Sequence, residues 1–148
     1  MSIPLKEKVV KELEDYLKTD LYQVPRSLIF FNGILNDGST VIICTPQSKL
    51  YPRRCGRTDL TTVQVSMLDK ADHSILAFRV EGNQVYYLDF RNLKPYLTEE
   101  AAFYNNERRR TFWKLYIWSD RIQILRNKNS LSISPNRLTE LGDYYQAP

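Results

Sequence analysis

The side chains best suited to chemistry in this chain are carboxylates, lysines and arginines, because the residues other mechanisms need are scarce. His73 is the only histidine, and Cys44 and Cys55 are the only cysteines, too few for a Cys/His zinc site or a disulfide framework. Glycine-rich phosphate loops, Gly-x-Ser-x-Gly and His-Glu-x-x-His do not occur. Carboxylates can hold Mg2+, and a nearby lysine can steady developing charge or an attacking water, which is what metal-dependent phosphodiester hydrolysis requires. Glu12 follows Val9 by three residues and precedes Tyr16 by four, a spacing that turns it toward the core-facing edge of a helix. Asp37 stands in an Asp-Gly turn, and Gln47-Ser48-Lys49 is a polar-x-lysine step after the apolar run STVIIC. Plainer roles are open to all of them: a border carboxylate beside Lys8 or Lys11, a turn residue, and a solvated loop lysine.

Taken in order, helix glutamate, aspartate, apolar strand and Gln-x-Lys resembles the catalytic order of the PD-(D/E)XK nucleases, the family of many restriction enzymes and some intron-encoded homing endonucleases. The resemblance runs from Glu12 to Lys49, with Asn36 where the family has a proline. It implies a restriction-endonuclease-like core in which Glu12 and Asp37 bind Mg2+, Gln47 replaces the usual acid and Lys49 is the catalytic lysine. Asp37 and Gln47 flank one strand, whose ends would stand roughly 33 Å apart if fully extended, so the motif requires a bulge or an early break. A reserve placement uses Asp72 before SILAFRV and Asp89-Phe90-Arg91 after VYYL. There an arginine, which stays protonated, would stand in for the lysine. The implied activity is that of a Mg2+-dependent endonuclease on double-stranded DNA, working as a homo-oligomer because two strand cuts need two active sites. The hairpin ILAFRVEGNQVYYL is also similar to one in ribosome-inactivating glycosidases. Ser74 and Ser119 stand where that family has active-site tyrosines, however, and no later helix supplies its glutamate and arginine.

Charge points the same way as the nuclease reading without requiring catalysis. The net charge of +4 is modest, but it is unevenly placed. Lys49, Arg53, Arg54 and Arg57 fall together with no acid among them, and between Ala101 and Ser130 seven basic residues meet only Glu107 and Asp120. YPRRCGR and ERRRTFWKLYIWSDRIQILRNK mix arginines with aromatics, the combination that contacts phosphates and stacks on bases. Arg53, Arg54, Arg57, Arg108, Arg109 and Arg110 are the candidate nucleic-acid contacts. A non-catalytic module binding nucleic acid or a protein through this basic surface is the alternative to the endonuclease.

These residues must be positioned by a fold that the pattern outlines. The 148 residues, 43% of them apolar, suit a single domain with its own core. Helical periodicity predicts a first helix over about 4–18, opened by Pro4 and capped by Ser2. SLIFFNGI and STVIIC read as a hairpin around Asn36-Asp37-Gly38, and the Pro-rich stretch 45–59 reads as an exposed loop. TTVQVSML, SILAFRV and QVYYLDF read as three further strands, Thr98 with Glu99 and Glu100 as the start of a helix over 98–109, and FWKLYIW and RIQIL as two more strands. The tail after Asn127 offers at most a turn near Leu138–Leu141. In FWKLYIW, Phe112, Lys114, Tyr116 and Trp118 share one face and Trp113, Leu115 and Ile117 the other. The class is α+β, a mainly antiparallel or mixed sheet flanked by the two helices. No apolar run is long enough to span a bilayer and no signal peptide is evident, so a cytoplasmic protein without a membrane partner is expected.

Overall fold

The computed structural model describes residues 2–52 and 54–141, so Arg53 lies outside the described residues. In chain order the elements are α1 (Lys6–Leu17), β1 (Tyr22–Gln23), β2 (Phe30–Ile34), β3 (Thr40–Cys44), β4 (Gln47–Ser48) and β5 (Gly56–Thr61). Then come α2 (Thr62–Lys70), β6 (His73–Val80), β7 (Gln84–Asp89) and the short α3 (Phe90–Leu93). β8 (Phe103–Asn105), β9 (Arg110–Ile117), β10 (Arg121–Ile124) and β11 (Ser130–Ser132) follow, with a 3-10 turn at Leu138–Leu141. The expected α+β class holds, but the strands form two sheets instead of one.

The first sheet is mixed. β1, β2 and β3 are antiparallel neighbours, β3 runs parallel to β6, and β7 pairs antiparallel with β6. β4 is also parallel to β6 and keeps the register of β3: Cys44 faces Leu76 and Gln47 faces Arg79, three steps on each strand. No residue is inserted between β3 and β4, so together they make one unbulged line along the edge of β6. The second sheet is antiparallel, in the order β11-β10-β9-β5, with β8 also against β9.

Side-chain alternation stacks three layers. Val9, Leu13 and Leu17 of α1 pack with Val41, Ile43, Ile75 and Tyr87 on one face of the first sheet. Ile42, Cys44, Leu76 and Phe78 on its other face meet Trp113, Leu115, Ile117 and Ile122 of the second sheet. Gly56 sits where the sheets touch, since a Cβ there would lie 3.3 Å from both Val80 methyls. The outer face of the second sheet is left to solvent, as one face of an antiparallel sheet commonly is. Arg79 is buried, donating from Nε and Nη2 to the Thr45 carbonyl (3.0 and 2.9 Å) and from Nη1 to the Pro4 carbonyl (3.1 Å).

Four local expectations are corrected. Ser2 does not cap α1, whose N-cap is Leu5 without a side-chain bond; the Ser2 carbonyl instead accepts from the Gly82 and Asn83 amides (3.0 and 2.8 Å). TTVQVSML is the helix α2, because Thr61 and Gln64 close a capping box. The parallel step from β3 to β6 also needs a crossover connection. The helix expected over 98–109 does not form. Residues 98–102 make turns, and β8 and β9 form a hairpin in which Phe103 stacks on Phe112, a tertiary pairing that outweighs the local helix cap. The stretch 45–59 contributes β4 and β5 where a loop was expected. Among the described residues no helix is long and apolar enough to cross a membrane.

Candidate nucleic-acid interface

The four residues of the endonuclease pattern are not brought together. Val41 pairs with His73 and Ser48 with Val80, seven steps along one strand, which sets Asp37 and Lys49 beyond opposite ends of a line of roughly 23 Å. Asp37 closes a local turn, accepting from the Ser39 amide (2.9 Å) and hydroxyl (2.5 Å), and these bonds hold its carboxyl below the usual range. Glu12 lies over the α1 face of the sheet and accepts from the Tyr87 hydroxyl at 3.0 Å. Burial, then the charge of Glu12, pushes the Tyr87 phenol well above its ordinary value. Gln47 and Lys49 are exposed at the far end of β6.

The reserve residues also have structural work. Asp72 accepts from the Thr40 amide (2.8 Å) and hydroxyl (3.2 Å), tying β3 to the start of β6. Asp89 is buried, caps α3 through the Arg91 amide (2.9 Å), and holds the Arg91 guanidinium at 3.0 Å. Asp89 pairs with Ile75, three residues past Asp72, so the two backbone positions are offset by roughly 10 Å along the strand. Among the described residues no three His, Cys, Asp or Glu side chains are grouped to hold a metal ion.

What the fold does bring together is the two cationic stretches. β5 pairs with β9, placing Arg57 opposite Tyr116, Asp59 opposite Lys114 and Thr61 opposite Phe112. β8 adds Phe103 opposite Phe112, and β10 adds Gln123 opposite Tyr116. Directly opposed residues point to the same side of a sheet. Trp113, Leu115 and Ile117 are buried against the first sheet, so Phe112, Lys114 and Tyr116 face outward.

On this outer face four aromatic rings carry a cation. The Arg57 guanidinium lies 4.5 Å from the Tyr51 ring centroid and 5.1 Å from that of Tyr116. Arg121 lies 4.6 Å from Trp118, and Lys114 and Arg126 lie 4.7 and 3.6 Å from Phe103. Phe103 and Phe112 stack at 5.7 Å, and the Trp118 indole donates to Gln123 at 3.3 Å. Rings half-buried by neighbours keep a fixed orientation, and each cation over a ring gains from the ring quadrupole. Two acids meet this face: Asp120 pairs with Arg121 at 2.9 Å, and Asp59 is set among the cations, where burial raises its carboxyl above the usual range and Lys114 offsets part of that. Arg110 begins β9 at the edge of the face, and Arg108 and Arg109 occupy the β8–β9 turn beside Glu107. Arg54, in the turn that Tyr51 opens, completes the described candidates.

Sequence reasoning named Arg54, Arg57 and Arg108–Arg110 as candidates and put Phe112, Lys114, Tyr116 and Trp118 on one face, but it did not join Tyr51, Phe103, Arg121 and Arg126 to them as one constellation. The alternation of FWKLYIW carried the signal for β9. Its pairing with β5, some fifty residues earlier in the chain, had none. The arrangement offers flat apolar surfaces interleaved with fixed positive charge. Comparison with known protein families, with curated proteins and with solved structures finds no match.

Proposed function

We propose that this protein binds single-stranded nucleic acid on the outer face of the second sheet, with Tyr116 and Trp118 as stacking surfaces. Arg57, Lys114, Arg110 and Arg121 serve the phosphates. The observation that supports this reading is that two cationic stretches, distant in sequence, meet on one face through the β5–β9 pairing, each beside ordered rings. A single strand can present bases to such rings whatever their sequence, while the phosphates supply a salt-dependent attraction. A duplex keeps its bases stacked internally and gains only the second term. One chain carries the whole face, so the binding unit is complete without a second copy.

Trp118 lies on the face, whereas Trp113 is in the core with its indole bonded to the Thr98 carbonyl at 2.8 Å. Titration with an oligothymidylate or oligouridylate should therefore change the fluorescence of Trp118, and Trp118→Phe should abolish most of that signal. Binding that is independent of salt, or equal for duplex and single strand, would overturn the proposal. The same titrations repeated with Mg2+ and with chelator, followed by gel analysis of single- and double-stranded DNA, read the endonuclease activity that the sequence resemblance implies.

A further inference from the structure

Beside the outer face, an open cleft of about 840 Å3 runs between the β10–β11 turn and the segment after α3. Arg91, Arg126 and Lys128 line it together with the amides Asn92, Asn127 and Asn129, and among the described residues no carboxylate lines it. Asp89, beneath, compensates Arg91, so the uncompensated charge comes from Arg126 and Lys128. The turn is held in shape: the Asn127 amide donates to the Tyr96 carbonyl at 2.9 Å, and its oxygen accepts from the Asn129 amide at 3.0 Å. Donors without competing acids, on a fixed turn, are what a phosphate group requires.

Arg126 joins this cleft to the aromatic face. Its guanidinium lies 3.6 Å from the Phe103 centroid and donates to the Ala102 carbonyl at 3.0 Å, while the same side chain forms part of the cleft wall. We infer that the cleft is a phosphate-binding site in which the backbone of the bound strand continues after passing Phe103, Arg126 and Lys128 being its principal contacts. The identification of the ligand as a strand rests on the proposed function; the affinity for phosphate does not.

Lys128 is exposed and makes no hydrogen bond or ion pair among the described residues, so its substitution leaves the fold intact. Lys128→Ala should weaken binding of an oligothymidylate of about twelve nucleotides and lower its salt slope by about 0.7, while one of about four nucleotides is unaffected. Lys128→Glu should weaken the longer strand further. If both variants bind the longer strand like the wild type while Tyr116→Ala binds it more weakly, the aromatic face stands and the cleft proposal is overturned. If the wild type binds neither strand, the proposed function fails. Titration with inorganic phosphate, followed by NMR of the backbone amides of Asn127, Lys128 and Asn129, then decides the cleft alone. Shifts that Lys128→Glu abolishes support a site for free phosphate, and unmoved amides overturn it.

Discussion

Asp59 offers the sharpest test of the outer face, because it places a negative charge where the proposed ligand brings phosphates. It lies opposite Lys114, and burial holds its carboxyl above the ordinary value of 3.8 despite that lysine. Asp59→Asn keeps the size of the side chain and removes one negative charge, with its repulsion of phosphates, from the face that Lys114 shares. One phosphate contact to a single strand contributes about 0.7 to the slope of log affinity against log salt. The variant's slope should steepen by about that amount, and if the electrostatic contribution vanishes near ~1 M salt, its affinity at ~0.15 M should rise about fourfold. Protonation does what the substitution does, so wild-type affinity should climb as the pH falls toward the raised carboxyl range, and the variant should lack that climb. Stability carries its own sign. With its folded-state value raised, the carboxyl holds its proton more tightly in the folded protein, a contribution complete below 3.8 and lost as the pH rises through the folded value. At neutral pH the variant should therefore be no less stable than the wild type. Fluorescence anisotropy of a labelled oligothymidylate between about 0.05 and 0.2 M salt measures the slope, and thermal unfolding measures the stability. A variant with wild-type affinity and slope, alongside a wild type whose affinity ignores pH, would refute the reasoning.

Tyr116→Ala and Trp118→Ala should each weaken single-strand binding by about 1–3 kcal/mol with little change in the salt slope, as read by the same anisotropy titrations. Gly33→Ala should lower the urea midpoint by an amount equivalent to about 1–3 kcal/mol, since the new Cβ would stand 2.5 Å from the Asp20 carbonyl oxygen and 3.1 Å from a Leu21 methyl. Thr61→Ala removes one half of the α2 capping box and should cost about 1 kcal/mol in the same denaturation experiment. Leu115→Ala, at a fully buried position between the sheets, should cost about 2–5 kcal/mol.

The elements read most accurately from sequence were those whose partners are local. α1 announces itself by aliphatics at helical spacing, and the β2–β3 turn by Asp37-Gly38, where Gly38 takes a φ of 87°. β6 and β7 are similarly joined through Gly82 at a φ of 93°. Failures came where distant residues decide. Thr98-Glu99-Glu100 carries a sound helix start, yet Phe103 gains more by stacking on Phe112, and the Thr98 carbonyl accepts from the Trp113 indole. TTVQVSML has the β-branched content of a strand, but Thr61 and Gln64 cap it as a helix that carries the chain between parallel strands. For the functional residues, order along the chain proved misleading: Asp37 and Lys49 are near in sequence and far apart on the edge of β6. Arg57 and Tyr116 are remote in sequence and adjacent in the sheet.

The buried guanidinium of Arg79 bears on how the chain can be handled in the laboratory. One of its three bonds ends on Pro4, and the preceding Ser2 carbonyl anchors the bend at Gly82 and Asn83. Residues 2–5 therefore act as a staple fastening α1 to the far end of the longest strand of the first sheet, not as a dispensable lead-in. An expression variant trimmed to begin at Lys6 would strand a cation in the interior with one acceptor missing, so affinity tags belong ahead of Ser2 and deletions do not.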